Sequence, residues 1–418
     1  MDTAHSGTPS DSAAVRRRNL GLVLRHIAEH GPCARTEVAT ATGLAHGSVT
    51  TLVADLVDRG LIGEDDAQRS GGRGRPGRPV RLAPSRALTI AVQITSEQLR
   101  AVVADLAGAI VWREDTSHHQ APGTPEAMAD ALAAAVRRAE NAARAPRFEH
   151  VESVLVRVVV AMAGPVRDDG AQTVLVAPDF GWLRPVRLGA LIADRLPGLD
   201  CPVDVVNDGN AAALAEYHAR PRARRGLVLI EAGTGIGGGV VLDGRIHIGS
   251  HGIAGEPGHM PVAFDGPGCV CGARGCLVLY AGPEAVLTAA GLQRTLRSQG
   301  VQAASDRLVV ALEAGDERAL AAVEEAARAL GAALLSITAL LDVDEIVLGG
   351  LLTQWFAWLA PTIEQVLSGR GALAPAMELD VVPAALGADS MLRGAVEFAR
   401  HAVLSDPSGV PRLPVRHH

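Results

Sequence analysis

Residues 227–246 read LVLIEAGTGIGGGVVLDGRI, and residues 88–108 read LTIAVQITSEQLRAVVADLAG. Each is an apolar run, a short loop at the same offset, and a second apolar run. Apolar runs of this length bounded by turn residues predict strands. The repetition of strand, loop and strand predicts an internal duplication. Around the two copies, strands and helices alternate. A long Ala-rich helix is expected over 125–145 and a strand over Val154–Val160, leading into Ala163-Gly164-Pro165. A strand–helix unit follows at 203–217, and helices dominate 283–341. The strand EIVLGG at 345–350, a helix after Thr353 and a last helix from Ser390 complete the pattern. This order predicts a two-lobed α/β domain.

Upstream the period changes from two to that of helices. Helices are expected over Val15–His30, Arg35–Thr42 and His46–Arg59, with Gly31-Pro32, Gly43 and Gly60 as stops. In the first, Leu20, Val23, Leu24 and Ile27 recur at helical spacing. In the third, Val49, Leu52, Val53 and Leu56 fall at i, i+3, i+4 and i+7, which makes one buried face. His46, Ser48, Thr50 and Thr51 then lie on the remaining faces, and small polar side chains at the start of such a helix allow close approach to base edges. The stretch SGGRGRPGRP follows, and then Val80-Arg81-Leu82. Gly and Pro suit an extended, exposed hairpin, from which Arg73, Arg75 and Arg78 can reach phosphates or a minor groove. The whole reads as a winged helix-turn-helix over 15–82, with the alternative of a small helical domain carrying a solvated charged loop. A linker over 83–87 and disordered tails over 1–14 and 406–418 are expected around a domain spanning 88–405.

Composition sets the limits. The chain of 418 residues exceeds one ordinary domain. At 48% hydrophobic and 20% charged residues it is globular in character, and with 3% aromatics its cores must be aliphatic. A net charge of −7 excludes a protein that coats nucleic acid with its whole surface. One basic module remains compatible with it, since Arg69–Arg86 holds six Arg and no Asp or Glu. The polar start lacks the apolar core of a secretory signal. No run reaches the roughly 18 apolar residues of a membrane span, so a cytoplasmic protein without membrane contact is expected. Three of the five Cys fall between 269 and 276, a spacing that suggests metal rather than a disulfide framework.

Four motifs carry a resemblance. They are GTGIGGGVVLDGRIHIGSHGIAGEPGHM (233–260), CVCGARGC (269–276), NDGNAAALAE (207–216), and the pair LGG (348–350) with LGADSMLRGA (386–395). In this order and spacing they resemble the ROK family (repressor, open reading frame, kinase) from about residue 88 to 403. The N-terminal module with its Gly-Gly-Arg wing is similar to that of the family's transcriptional regulators. The resemblance implies a multidomain chain, an all-α winged helix-turn-helix followed by a two-lobed α/β actin-like, ribonuclease H-like sugar-kinase fold.

Chemistry and resemblance agree on a metal. Cys269, Cys271 and Cys276 supply three thiolates and His259 an imidazole, a tetrahedral set with no open position, as in a structural zinc site. Three buried free cysteines are the alternative. In the family these four positions bind zinc. The resemblance also nominates Gly164, Asn207, Asp208, Glu256 and His259 as sugar-binding, with Asp208 at the position of the kinases' catalytic base. Asn207-Asp208 alone would read as a helix N-cap, and capping and ligand contact can coexist.

Two departures from the family stand out. The family's Gly-Cys-Leu-Glu is Gly275-Cys276-Leu277-Val278 here, which removes a sugar-contacting carboxylate. The phosphate loop Asp-x-Gly-Gly-Thr is Gln93-Ile94-Thr95-Ser96-Glu97, which removes the metal-facing Asp and both Gly and adds a negative charge. Phosphoryl transfer depends on positioning and charge stabilisation. The expected protein is therefore not an enzyme. It is a DNA-binding regulator of carbohydrate metabolism, expected to act as a repressor on double-stranded operator DNA under a sugar or sugar-derivative effector. The alternatives are an active glucokinase-like kinase with a DNA-binding appendage, and a regulator that answers to a protein partner. The second Gly-rich loop, Gly233–Gly239, reads as a tight turn the fold requires. A homodimer or homotetramer is expected, because winged helices usually read two half-sites.

Overall fold

The structure is a computed structural model that describes residues 12–65, 78–117, 123–144, 153–220, 225–369 and 379–414. In chain order it opens with α1 (Ser12–His30), α2 (Arg35–Thr42), α3 (His46–Asp58), β1 (Ile62–Glu64) and β2 (Val80–Leu82). There follow β3 (Ala87–Ile94), β4 (Gln98–Asp105), β5 (Ile110–Ser117), α4 (Pro125–Ala143) and β6 (Val154–Met162). Next come β7 (Val166–Arg167), β8 (Thr173–Val174), α5 (Leu188–Asp194), β9 (Val203–Asn207), α6 (Asp208–His218), β10 (Gly226–Ala232), β11 (Ile236–Leu242) and β12 (Arg245–Ile246). The chain continues as α7 (Val278–Ala281), α8 (Pro283–Ala289), α9 (Gln293–Glu313), α10 (Glu317–Leu341), β13 (Glu345–Gly350), α11 (Leu351–Ser368), β14 (Asp380–Pro383) and α12 (Ser390–Ser405).

Two compact units result. The first comprises 1–160, 187–205 and 395–418, and the second 161–186 and 206–394. In the first unit, α1, α2 and α3 pack with Leu20, Val23, Leu24 and Ile27 facing Val49, Leu52, Val53 and Leu56, all buried. The hairpin of β1 and β2 pairs Ile62 with Leu82 and Glu64 with Val80. The same unit holds a five-stranded sheet in the order β5-β4-β3-β6-β9. Every residue of β3 is buried, so the strand is covered on both faces and reads as one apolar run.

The second unit holds another five-stranded sheet, in the order β12-β11-β10-β13-β14. Strand β10 runs antiparallel to β11 and parallel to β13, which is parallel to β14. Element by element this is the order of the first sheet, so the duplication read from 88–108 and 227–246 is real. Helices α10 and α11 close one side around Trp355, Leu330, Leu334, Ile346 and Leu348.

Three boundaries differ from the sequence reading. Helix α1 begins at Ser12, inside the expected tail. The expected linker is packed: Pro84–Arg86 forms a 3-10 turn, and Arg86 is buried with its Nε donating to the Arg59 carbonyl at 3.0 Å. The expected C-terminal tail is ordered through residue 414, because Val403, Leu404 and Val410 complete the apolar core of the helix-turn-helix. Residues 1–11 and 415–418 lie outside the described residues.

Candidate functional site

The candidate reading helix comes first. Helix α3 buries Val49, Leu52, Val53 and Leu56, and this leaves His46, Ser48, Thr50 and Thr51 exposed, as the periodicity requires. The Thr50 and Thr51 hydroxyls donate to the His46 and Gly47 carbonyls at 2.9 and 3.1 Å. Their side chains are therefore held along the helix surface. Arg78 sits beside the wing hairpin, largely exposed, with its Nη1 3.8 Å from Glu64 Oε2. The candidates Arg73 and Arg75 lie outside the described residues.

The cysteine loop brings its four candidates together. The ligand atoms of His259, Cys269, Cys271 and Cys276 all lie within 4.8 Å of one another. Cys269 Sγ is 3.6 Å from His259 Nδ1, and Cys271 Sγ is 3.6 Å from Cys276 Sγ. A tetrahedral ion with thiolate bonds of about 2.3 Å sets its sulfurs about 3.8 Å apart, so the set fits a closed four-ligand site. Backbone bonds shape the knuckle, with Cys269 N–H donating to Ala273 O at 2.8 Å and Gly272 N–H to Cys269 O at 3.0 Å. His259 turns Nδ1 to the thiols, which leaves Nε2 for a second partner. Its backbone N–H donates to Glu256 O at 3.2 Å, so His259 and Glu256 share one turn.

A cluster of carboxylates gathers about the N-terminus of α6. Asn207 caps the helix: its Oδ1 accepts from Asn210 N–H at 2.9 Å, and its Nδ2 donates to Gly164 O at 3.1 Å. Gly164 has φ +105°, and a Cβ there would fall 2.2 Å from the Val176 carbonyl oxygen, so only glycine fits. Helix α6 is drawn onto β11 by backbone contact. A Cβ on Gly209 would sit 2.3 Å from Gly238 O, and one on Gly239 would sit 2.7 Å from Gly209 O.

Asp208 opens α6 and accepts from Gly209 N–H at 2.8 Å. Burial lifts its carboxyl to about 6, partly offset by that bond and reinforced by the charge of Asp179. Burial, with the Asp208 charge added, lifts Glu256 to about 7. Glu231, at the end of β10, is lifted to about 7 by burial and then by Asp208 and Glu216. Sequence reasoning missed Glu231 and Asp179. Glu231 did leave a signal, since a lone carboxylate inside the apolar run LVLIEAG is costly without a purpose. Val278 opens α7 with its Cγ2 3.9 Å from where a Cβ of Gly235 would be, so the residue that replaces the family's Glu faces the Gly-rich loop.

That loop divides in two. Gly238 and Gly239 are required by packing, as expected of a fold-imposed turn. Gly233 and Gly237 meet nothing within 4 Å at the Cβ position, which packing does not explain. In the first unit, the loop after β3 folds on itself. Thr95 Oγ1 accepts from the N–H of Glu97 and of Gln98 at 3.3 and 3.2 Å, and Thr95 N–H donates to Gln98 O at 2.9 Å.

Comparison with known proteins matches two families at two stretches of the chain. The ROK family matches residues 89–402 and the MarR family residues 21–75. The xylose repressor of Bacillus spizizenii is 25% identical over 389 residues, 92% of this chain and 95% of its own. A glucokinase of Streptomyces coelicolor is 32% identical over 329 residues, 75% of this chain and 98% of its own. Among solved structures, a ROK family transcriptional regulator described as a homologue of the E. coli MLC protein superposes with a TM-score of 0.77 at 24% identity, covering 95% of this chain and 99% of that one. A ROK glucokinase of Streptomyces griseus, solved with glucose and AMPPNP, gives a TM-score of 0.57 at 30% identity over 75% of this chain and 99% of its own. No helix among the described residues is long and apolar enough to cross a membrane. With a sugar-kinase fold over 89–402 and a MarR-type winged helix ahead of it, the chain belongs to the ROK family and has the domain plan of its DNA-binding regulators.

Proposed function

We propose that this protein is a sequence-specific transcriptional repressor of carbohydrate metabolism. Its kinase-fold domain binds a sugar or sugar derivative and no longer transfers phosphate. The observation that carries the reading is the exposed polar face of α3, held by a complete apolar core in the same chain as a sugar-kinase fold. A helix of this kind enters the major groove, where His46, Ser48, Thr50 and Thr51 meet base edges. Arg73, Arg75 and Arg78 of the wing neutralise phosphates.

In the kinase-fold domain, Gly164, Asn207, Asp208, Glu256 and His259 hold the effector. Carboxylates accept from sugar hydroxyls, while the spare Asn207 Nδ2 hydrogen and His259 Nε2 complete the ring of partners. A zinc ion on His259, Cys269, Cys271 and Cys276 supplies structure, stiffening the turn that carries Glu256. The effector alters operator affinity by its difference in affinity between two states of the protein, typically about 1–3 kcal/mol. The chain acts as a homodimer or homotetramer on paired half-sites.

Loss of phosphotransfer is supported by the turn at 95–98. The Glu97 and Gln98 N–H groups are committed to Thr95 Oγ1, whereas a phosphate loop aims such groups at its ligand. One observation favours the kinase alternative: Gly233 and Gly237 are as open as a working second phosphate loop needs. Two measurements on the full-length chain decide. Selection from random duplexes should yield a preferred sequence whose affinity changes with one member of a monosaccharide and amino-sugar panel. ATP consumption with the same panel should stay at background. No preferred sequence would sink the regulator reading, and turnover that vanishes in Asp208→Ala would restore the kinase.

A further inference from the structure

The C-terminus does something at the reading helix that a polar tail has no need to do. Asp55 lies near the C-terminal end of α3, one turn beyond Thr51 and two beyond Ser48, and is 5% exposed. Three guanidiniums converge on it. Arg16 Nη2 of α1 reaches Oδ2 at 2.6 Å, Arg59 Nε reaches Oδ1 at 3.1 Å, and Arg412 Nη2 reaches Oδ1 at 3.0 Å. Burial opposes ionisation of Asp55, yet the three cations hold its carboxyl below the ordinary range.

The segment that brings Arg412 is bound at each step. Arg59 Nη1 donates to the carbonyls of Ser408, at 2.8 Å, and Val410. Arg86 Nη2 donates to Pro411 O at 2.9 Å, and Leu413 N–H donates to Asp58 O at 2.7 Å. Val410 is buried among the core residues of the helix-turn-helix. Upstream, Gly21 of α1 lies so near the end of α12 that a Cβ there would fall 2.1 Å from Ser405 O.

We propose that residues 406–413 are a third component of the DNA-reading module, with Arg412 the residue that positions α3. The inference rests on the reading of α3 as base-contacting. A recognition helix must leave one face bare for DNA, so its pose is fixed only by its core face and its distal end. The core face packs on α1, and the distal end, Asp55–Arg59, is held by the C-terminal segment. A helix that can rock about its core face loses register with base edges while its chain stays folded. Arg412 is 58% exposed, so its pairing contributes little to global stability. Its effect should therefore appear in sequence-specific binding.

The test uses full-length protein and the duplex that wild type selects. Arg412→Ala should weaken binding to that duplex by about tenfold, equivalent to about 1.4 kcal/mol. Non-specific binding, and the slope of affinity against salt, should be unchanged. Arg412→Lys should recover most of the loss. Amide hydrogen exchange of the DNA-free Arg412→Ala chain should quicken in α3 and not in β3. Arg78→Ala, a wing residue, should instead lower the salt slope by about one. Wild-type affinity and exchange in Arg412→Ala would overturn the proposal. So would a lowered salt slope, which would make Arg412 a phosphate contact. If wild type selects no sequence, the reading of α3 fails separately, and exchange in α3 still decides whether Arg412 fixes that helix.

Discussion

Neutralising Glu256 should stabilise the ligand-free protein, by an amount that grows as pH rises from about 4.5 and is complete above about 7. Its carboxyl rises from the ordinary 4.5 to about 7 in the fold, through burial and the Asp208 charge. At about 1.36 kcal/mol per pH unit, carrying that charge costs the folded state about 3 kcal/mol. Glu256 is only partly buried, and solvent screening reduces this to about 1–2 kcal/mol. The sign follows from the direction of the shift. The folded chain binds this proton more tightly than the unfolded chain, so stability from this group is present at low pH. It is lost as pH rises from about 4.5 and is gone above about 7. Glu256→Gln keeps the shape and removes the charge. For a unit of roughly 200 residues, the melting temperature should rise by about 4 °C near pH 8 and change little near pH 5. Differential scanning fluorimetry of the full chain at both pH values measures this, with Glu97→Gln on an exposed turn as control. An equal gain at both pH values, or none near pH 8, would refute the electrostatic account.

Metal analysis should find close to one zinc per chain. Cys271→Ser should lower both the metal content and the melting temperature, because a structural metal's binding energy is folding energy. A zinc-free wild type with unchanged melting would contradict this. Within the DNA module, Ser48→Ala should alter base preference at unchanged melting temperature, since Ser48 is exposed. Leu56→Ala, at a fully buried position, should cost about 2–5 kcal/mol and abolish specific binding, as read by chemical denaturation and anisotropy.

Much of the architecture was legible because burial imposes a period. Val49, Leu52, Val53 and Leu56 could be assigned to one face from spacing alone, since α3 has a single core side. The duplicated hairpins were legible for the opposite reason: β3 and β10 are covered on both faces and read as unbroken apolar runs. The segment DPSGVPRLP gave no such signal. Its order comes from pairings such as Arg412 with Asp55, 357 residues apart in sequence, and from one apolar side chain, Val410, too few to show a period. The linker at 83–87 was misread similarly. Ala, Pro and Ser suit a connector, and only the fold shows that Arg86 is buried with backbone carbonyls for partners.

The carboxylate cluster was legible as residue types and illegible as energetics. Gly164, Asn207, Asp208 and Glu256 were nominated through motif order, but motif order is silent on cost. Among the described residues, burial and the charges of neighbouring carboxylates raise Asp208, Glu231 and Glu256, and no cation offsets them. A cluster of this kind is under tension near neutral pH, and three remedies exist. The carboxyls can hold protons, a cation can enter, or hydroxyls can donate to them. The first weakens as pH rises past about 7, whereas the other two require a ligand. Glu231 sharpens the choice. It stands just before Gly233, and any phosphate bound beside it would add negative charge to carboxyls already repelling one another. Charge therefore disfavours an anionic occupant here and favours a neutral polyhydroxyl or amino-bearing one. A neutral sugar and its amine should accordingly stabilise the protein more than its phosphate does, and that ranking should flatten in Glu231→Gln.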